Sequence, residues 1–129
     1  MAWLALLCTL PACSSLDAED AAGTYRSNIP GHPETLRLHV DGTFSHTFLE
    51  SGVAKTHAGR WVVKDDFIVF KPFVMPGYYP GQGGRTREAN FYIASAWGDD
   101  TAATISIDPD NLYAFERQNT LSGQNSRSN

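Results

Sequence analysis

The stretch Glu34-Thr35-Leu36-Arg37-Leu38-His39-Val40-Asp41-Gly42-Thr43-Phe44-Ser45-His46-Thr47-Phe48 decides the fold. Apolar residues occupy every second place on both sides of Asp41-Gly42, with His46 standing in the series between Phe44 and Phe48. A period of two puts successive side chains on opposite faces of an extended strand. Asp-Gly between two such runs signals a hairpin, because glycine enters the left-handed region without a Cβ penalty. The loop length then fixes the register. A two-residue loop over Asp41-Gly42 sets Leu38 against Ser45 and splits the apolar sets between two faces. A three-residue loop, Val40-Asp41-Gly42, sets Leu38 against Phe44 and Leu36 against His46, and buries one continuous face. The three-residue loop is the expected one.

The same logic extends to the next hairpin. Trp61 and Val63 belong inside, which favours pairing positions that sum to 103. Phe44 then lies against Gly59, and His46 against His57. Further runs rich in Val, Ile, Phe, Tyr and Thr predict strands near 23–27, 34–40, 43–49, 53–63, 66–73, 89–97, 101–108 and 112–117. Turns fall at Asp41-Gly42, Ser51-Gly52, Lys64-Asp65, Gly98-Asp99 and Pro109-Asp110-Asn111. Nothing reads as a long helix. All connections but one are short, which favours an antiparallel up-and-down meander, and about eight strands is the count of a small closed β-barrel. Periodicity alone also fits a two-sheet β-sandwich.

Composition bounds the function. Charged residues make up 19% of the chain and aromatics 12%, the balance of a globular domain with a real core. A formal net charge of −4 and the lack of a basic cluster exclude nucleic acid as an expected partner. The last stretch, 118–129, is almost wholly Ser, Asn, Gln, Gly and Arg and is expected to be disordered.

The N-terminus carries an address. Residues 2–12 form an apolar run of the length of a signal-peptide core, well short of the roughly 20 residues that span a bilayer. Its ending, Leu10-Pro11-Ala12-Cys13, resembles the lipobox of bacterial lipoproteins. The resemblance implies cleavage before Cys13, lipid on the Cys13 thiol and a membrane as partner through that lipid. Asp directly after the cysteine retains Gram-negative lipoproteins at the inner membrane. Ser14 stands there, so the resemblance implies the periplasmic face of the outer membrane. Plain secretion with an unmodified Cys13 is the alternative. Cys8 leaves with the signal, so the mature chain makes no internal disulfide. The expected organisation is a signal peptide over 1–12, a lipidated cysteine and acidic tether over 13–22, a barrel over 23–117 and the tail.

Several short motifs recur along the barrel: Gly23-Thr24-Tyr25, Leu36-x-Leu38-x-x-Asp41-Gly42-Thr43-Phe44, Gly59-x-Trp61 and Ile68-x-Phe70. The pattern ends with Ile105-x-Ile107-Asp108-Pro109-Asp110 and Tyr113-x-Phe115-x-Arg117. Together they resemble the small lipocalin-like lipoproteins of bacteria over most of 23–117. True lipocalins carry Gly-x-Trp on the first strand, where this chain has Tyr25. The resemblance implies a small β-barrel and supplies no catalytic residue.

Candidate chemistry is sparse. Of the four histidines, His32 lies in a Pro-Gly-His-Pro loop and His39 points outward. His46 and His57 face one another across a strand pair, the start of a Zn or Cu site that lacks a third ligand by spacing. Met75 lies in a loop without an assigned place. The Asp65-Asp66 and Asp99-Asp100 doublets, Asp108 and Asp110 fall at turns, where Asp bonds the local backbone. Catalytic and phosphate-binding motifs are absent from the sequence, so no enzyme and no cofactor is expected; an enzyme assembled from scattered residues without a recognisable motif is an alternative, as is periplasmic Zn or Cu handling through the paired histidines. The long loop over 74–88 is the main functional candidate. Tyr78 and Tyr79 offer broad amphipathic faces there, and Arg85 and Arg87 offer forks for carboxylate or phosphate. The expected function is a binding module for a protein partner or a small amphipathic, largely apolar ligand at one barrel end. Partner binding expects Tyr78 and Tyr79 exposed; ligand binding expects a void; metal handling expects converging imidazoles.

Overall fold

The computed structural model describes residues 16–79, 83–98, 102–108 and 113–118. Within them a one-turn helix, α1 (Ala18–Ala21), precedes β1 (Gly23–Ser27), β2 (Glu34–Leu38), β3 (Thr43–Glu50), β4 (Val53–Lys64) and β5 (Phe67–Lys71). Then come β6 (Phe73–Met75), β7 (Arg87–Ala89), β8 (Tyr92–Trp97), β9 (Thr104–Ser106) and β10 (Ala114–Arg117). Eight of these strands close an antiparallel barrel in the order β1-β10-β9-β8-β5-β4-β3-β2. Closure comes from Tyr25, which lies opposite Arg117 on one side and Leu36 on the other. That pairing decides between the two architectures: the sheet is a closed barrel, and the sandwich alternative falls.

The hairpin arithmetic holds residue by residue. Leu38 pairs with Phe44 and Leu36 with His46. Phe44 pairs with Gly59 and His46 with His57. Gly42 takes φ +89°, and Asp41 accepts from the Thr43 amide at 2.9 Å. Trp61 Nε1 donates to the carbonyls of His39 and Thr43, both at 2.9 Å, so the indole pins this end of the β2–β3 hairpin. The alternation turns Tyr25, Leu36, Phe44, Phe48, Ile68, Phe70, Ile105 and Phe115 into the buried interior. Each such side chain contributes about 1.5–3 kcal/mol by leaving water. Phe44 meets Phe70 edge-on at 5.1 Å, the favoured aromatic geometry.

Two expected strands divide; the one over 89–97 gives Ala89 to β7 and begins β8 only at Tyr92. The run over 66–73 ends as β5 at Lys71, and Pro72 brings no amide hydrogen to extend the ladder. The chain leaves the barrel and forms the separate β6–β7 pair, with Phe73 opposite Ala89 and Met75 opposite Arg87. Much of the 74–88 loop is therefore the tip of a hairpin. Gly77 lets its two arms approach, since a Cβ there would lie 2.6 Å from the Gly84 carbonyl oxygen.

The two barrel ends differ. At one end, the base, lie α1, the β2–β3 loop, the β4–β5 turn and the β8–β9 connection. Part of the expected tether over 13–22 is docked here: Leu16 and Ala21 pack on the core. Asp17 caps α1 by accepting from the Asp20 amide at 2.9 Å. Arg117 then ties the turn down, with Nη1 donating to Ala22 O at 2.9 Å and Nε to Ala102 O at 3.0 Å. Its guanidinium also sits 5.0 Å from the Tyr25 ring centre, and Tyr25 OH donates to Ala21 O. The other end, the mouth, carries the loop over 28–33, the β3–β4 turn, Ile107, Asp108 and Tyr113 at the ends of β9 and β10, and the described residues of the β6–β7 hairpin. The expected signal peptide, Cys8 and Cys13 lie outside the described residues, as does the tail beyond Gln118. No helix among the described residues is long and apolar enough to cross a membrane.

Gly59 lies on β4 beside the end of β5, and a Cβ there would meet Lys71 O at 2.6 Å and the Phe44 ring at 2.8 Å. Gly59→Ala is expected to cost about 1–3 kcal/mol through overpacking, read as a lower urea midpoint. An unchanged midpoint would mean that the Lys71 carbonyl and the Phe44 ring do not approach Gly59 this closely.

Candidate functional site

The mouth is built around a carboxylate. Glu34 opens β2 and points into the barrel, where its side chain and that of His46 are both fully buried. His46 Nε2 lies 2.6 Å from Glu34 Oε1, the geometry of an imidazole N–H donated to a carboxylate. Tyr113, preceding β10, donates its hydroxyl to the same oxygen. Three distant segments thus converge on one atom. Aromatic rings pack around the imidazole: Phe73 stacks on it at 5.3 Å, Phe48 lies at 5.2 Å and Phe115 meets it edge-on at 5.6 Å.

The β6–β7 hairpin closes over this cluster as a lid. Phe73 anchors its first strand between Phe70 at 5.1 Å and Tyr92 at 5.6 Å. At the tip, Tyr78 stacks on His32 with ring centres 3.9 Å apart and planes 11° from parallel. Tyr79 packs on Tyr113 at 5.1 Å and donates its hydroxyl to Asp108. On the third side Thr86 donates to Glu50 Oε2 at 2.5 Å, and that bond holds the Glu50 carboxyl below its usual range. Under the lid, buried Glu34 Oε2, His46 Nδ1 and Tyr78 OH have no partner at full hydrogen-bond distance, although the Tyr78 phenol faces the Glu34 carboxylate closely enough to interact with it. Such atoms are costly to bury unpaired.

Phenols around the carboxylate respond to it. Burial pushes the Tyr113 hydroxyl well above the ordinary value near 10, and the neighbouring Glu34 charge raises it further. Tyr78 is raised for the same two reasons in the same order. At the base, burial pushes Tyr25 up to about 12, partly offset by Arg117. Two clefts flank the mouth. One of about 480 Å³ is lined by His32, Leu49, Glu50, Gly77, Tyr78 and Gly84. A second, about 380 Å³, lies beside Arg26, Ile29, Pro33 and Glu34. Both volumes fall in the range of small-molecule sites.

The sequence candidates divide. Tyr78 and Tyr79 do reach the site, but they turn inward: Tyr79 is buried and Tyr78 half-buried. The exposed pair that partner binding expects is therefore not presented, because stacking on His32 and Tyr113 buries more ring than solvent exposure would. Arg85 and Arg87 are exposed on the lid. His46 and His57 occupy opposed positions as expected, yet they do not join. Glu34 engages His46, while the His57 ring stacks on Phe48 at 6.0 Å. Among the described residues no group of three or more His, Cys, Asp or Glu side chains is arranged to hold a metal ion. Glu34, Tyr113 and His32 were not singled out as site residues. Glu34 carried a usable signal, a carboxylate at an inward place of a strand whose other inward places are Leu36 and Leu38. Comparison of the chain with protein-family models, with curated proteins and with solved structures gives no match.

Glu34→Ala is expected to cost roughly 3–5 kcal/mol, because it strands His46 and Tyr113 in the core. With Glu34→Met and His46→Phe measured singly and together, the double variant is expected to cost less than the sum of the two singles, and the shortfall measures the coupling. Simple additivity in urea unfolding would show that the two side chains do not interact. A second expectation concerns alkaline pH. The folded chain holds its Tyr25 proton more tightly than the unfolded chain, whose phenols titrate near 10. That stability is complete below about pH 10 and is lost as pH rises towards about 12. Tyr25→Phe is expected to flatten the fall in urea midpoint over that window; an equally steep fall in the variant would count against the buried phenol.

Proposed function

We propose that this protein is a lipid-anchored binding module of the periplasmic face of the outer membrane, and not an enzyme. It captures a small amphipathic ligand at the barrel mouth, beneath the β6–β7 lid. The observation that carries the reading is the buried polar cluster of Glu34, His46 and Tyr78, with polar atoms short of full hydrogen bonds, set in an aromatic wall and roofed by the lid. A ligand with one polar and one apolar end matches that arrangement. Its polar end would satisfy Glu34 and Tyr78, and its apolar end would lie against the rings that line the mouth. Arg85 and Arg87, exposed on the lid, offer forks to a carboxylate or phosphate on the ligand's outer side. The inward turn of Tyr78 and Tyr79 favours a small ligand over a protein partner. The lipobox-like ending at Cys13 supports the anchor.

Native mass spectrometry of the protein extracted from membranes without chelator tests the reading. A retained small mass is expected, together with acyl chains on Cys13. Glu34→Gln keeps the shape and removes the charge, and is expected to weaken retention roughly tenfold or more. A bare polypeptide mass would sink the stored-ligand reading and leave transient partner binding. A retained metal mass lost in the His46→Ala, His57→Ala double variant would instead support the paired histidines as a metal site.

A further inference from the structure

We propose that the base of the barrel is a membrane-docking surface, on which Trp97 and Phe67 insert into the interface of a neutral phospholipid leaflet. The inference rests on the reading that Cys13 carries lipid. It starts from four of the outward-facing apolar side chains that the fold leaves in water: Trp97 at 63% exposure, Phe67 at 45%, Ile93 at 54% and Val62 at 56%, with Phe91 at 60% further up the same wall. The register makes them one strip. Val62 pairs with Val69, and Val69 with Ile93. Phe67 pairs with Ser95, so Ile93 and Trp97 are its two diagonal neighbours, within reach of an aromatic ring. The strip descends the wall of β4, β5 and β8 and ends at the base with Phe67 and Trp97. Exposed contiguous apolar surface of this kind marks an interaction site.

The anchor arrives at the same end. Ala103 N donates to Trp97 O at 2.7 Å, and Arg117 N donates to Ala103 O at 2.8 Å. The Arg117 side chain in turn grips the backbone of Asp20 and Ala22 around α1. Trp97 is thus two backbone hydrogen bonds from the residue that clamps the incoming chain. From Leu16, which packs on the core, only three peptide steps lead back to Cys13. Three residues reach at most about 10 Å. A lipid on Cys13 therefore holds the base within about a headgroup layer of the leaflet, where Trp favours the interface.

Charge selects the lipid. The base carries Asp17, Glu19, Asp20, Asp41, Asp65 and Asp66 against Arg37, Arg60, Lys64 and Arg117, an acidic excess of two. An anionic leaflet repels that excess, whereas zwitterionic headgroups do not. Docking is driven by apolar burial and weakens as anionic lipid is added.

The test uses the full protein extracted from membranes and reconstituted into phosphatidylethanolamine–phosphatidylcholine vesicles with brominated acyl chains, which quench tryptophan on contact. Trp61 is 2% exposed and gives a fixed background. Quenching of wild-type emission is expected, with loss of that quenching in Trp97→Ala. A Trp97→Ala, Phe91→Trp variant moves the reporter to the mouth end of the same wall and is expected to stay unquenched. Adding phosphatidylglycerol is expected to reduce the wild-type signal. Acylated protein whose Trp97 is unquenched overturns the docking and leaves the anchor standing. Trp97 shielded from aqueous quencher yet untouched by bromine also overturns it, in favour of a second copy of the chain. Equal quenching at both ends overturns the orientation. A mass without acyl chains on Cys13 overturns the anchor and the docking together.

Discussion

The architecture of the mouth depends on one buried carboxylate. Glu34 receives the imidazole of His46 from β3 and the hydroxyl of Tyr113 at the head of β10, and it faces the Tyr78 phenol on the lid. Taking an isolated carboxylate out of water is far more costly than any single packing gain, so the site is tolerable only with its donors in place. The consequence is geometric. β2, β3, the approach to β10 and the lid must meet at one point, and the rings around His46 then have a fixed frame to pack on. The polar atoms beneath the lid give that meeting point a chemical face.

The opposite end solves a related problem with a cation. Arg117 closes the ladder between β10 and β1 and also satisfies backbone carbonyls of the α1 turn and of Ala102. Tyr25 packs under its guanidinium and gives its own hydroxyl to Ala21. The four-residue helix has no stability of its own, since so short a turn cannot repay its nucleation. It persists because a capping box, a buried alanine and Arg117 all act on it. The incoming chain is thereby fixed to the base rather than to the mouth.

Most of the barrel was legible in the sequence, and the reasons are local. Leu36, Leu38, Phe44 and Trp61 alternate with polar residues, and Asp41-Gly42 admits one loop length that keeps them on a single face. Register follows from that constraint without any knowledge of distant strands. The lid was not legible as a hairpin. Its strands are three residues each, too short for a period of two to rise above noise. The buried cluster was legible only in part. His46 was placed correctly opposite His57, but its actual partner lies on β2, and Tyr113 approaches from beyond β9. Pairwise spacing along a hairpin says nothing of a contact between residues as far apart as Glu34 and Tyr113. Closure of the barrel creates that contact.

That separation of ends constrains what the molecule can do. A ligand site on the same end as the chain's entry would be crowded by α1 and by the surface to which a lipid on Cys13 would hold it. With the entry at the base, the lid and the clefts beside it face the opposite way, away from where such a lipid would hold the chain. Among the described residues the lid meets the barrel through the aromatic anchor at Phe73 and through contacts of Tyr78, Tyr79 and Thr86. Opening it breaks few backbone hydrogen bonds and leaves the eight-stranded closure intact. A rigid wall carrying the polar cluster and a separable roof above it are the two parts that capture and release require.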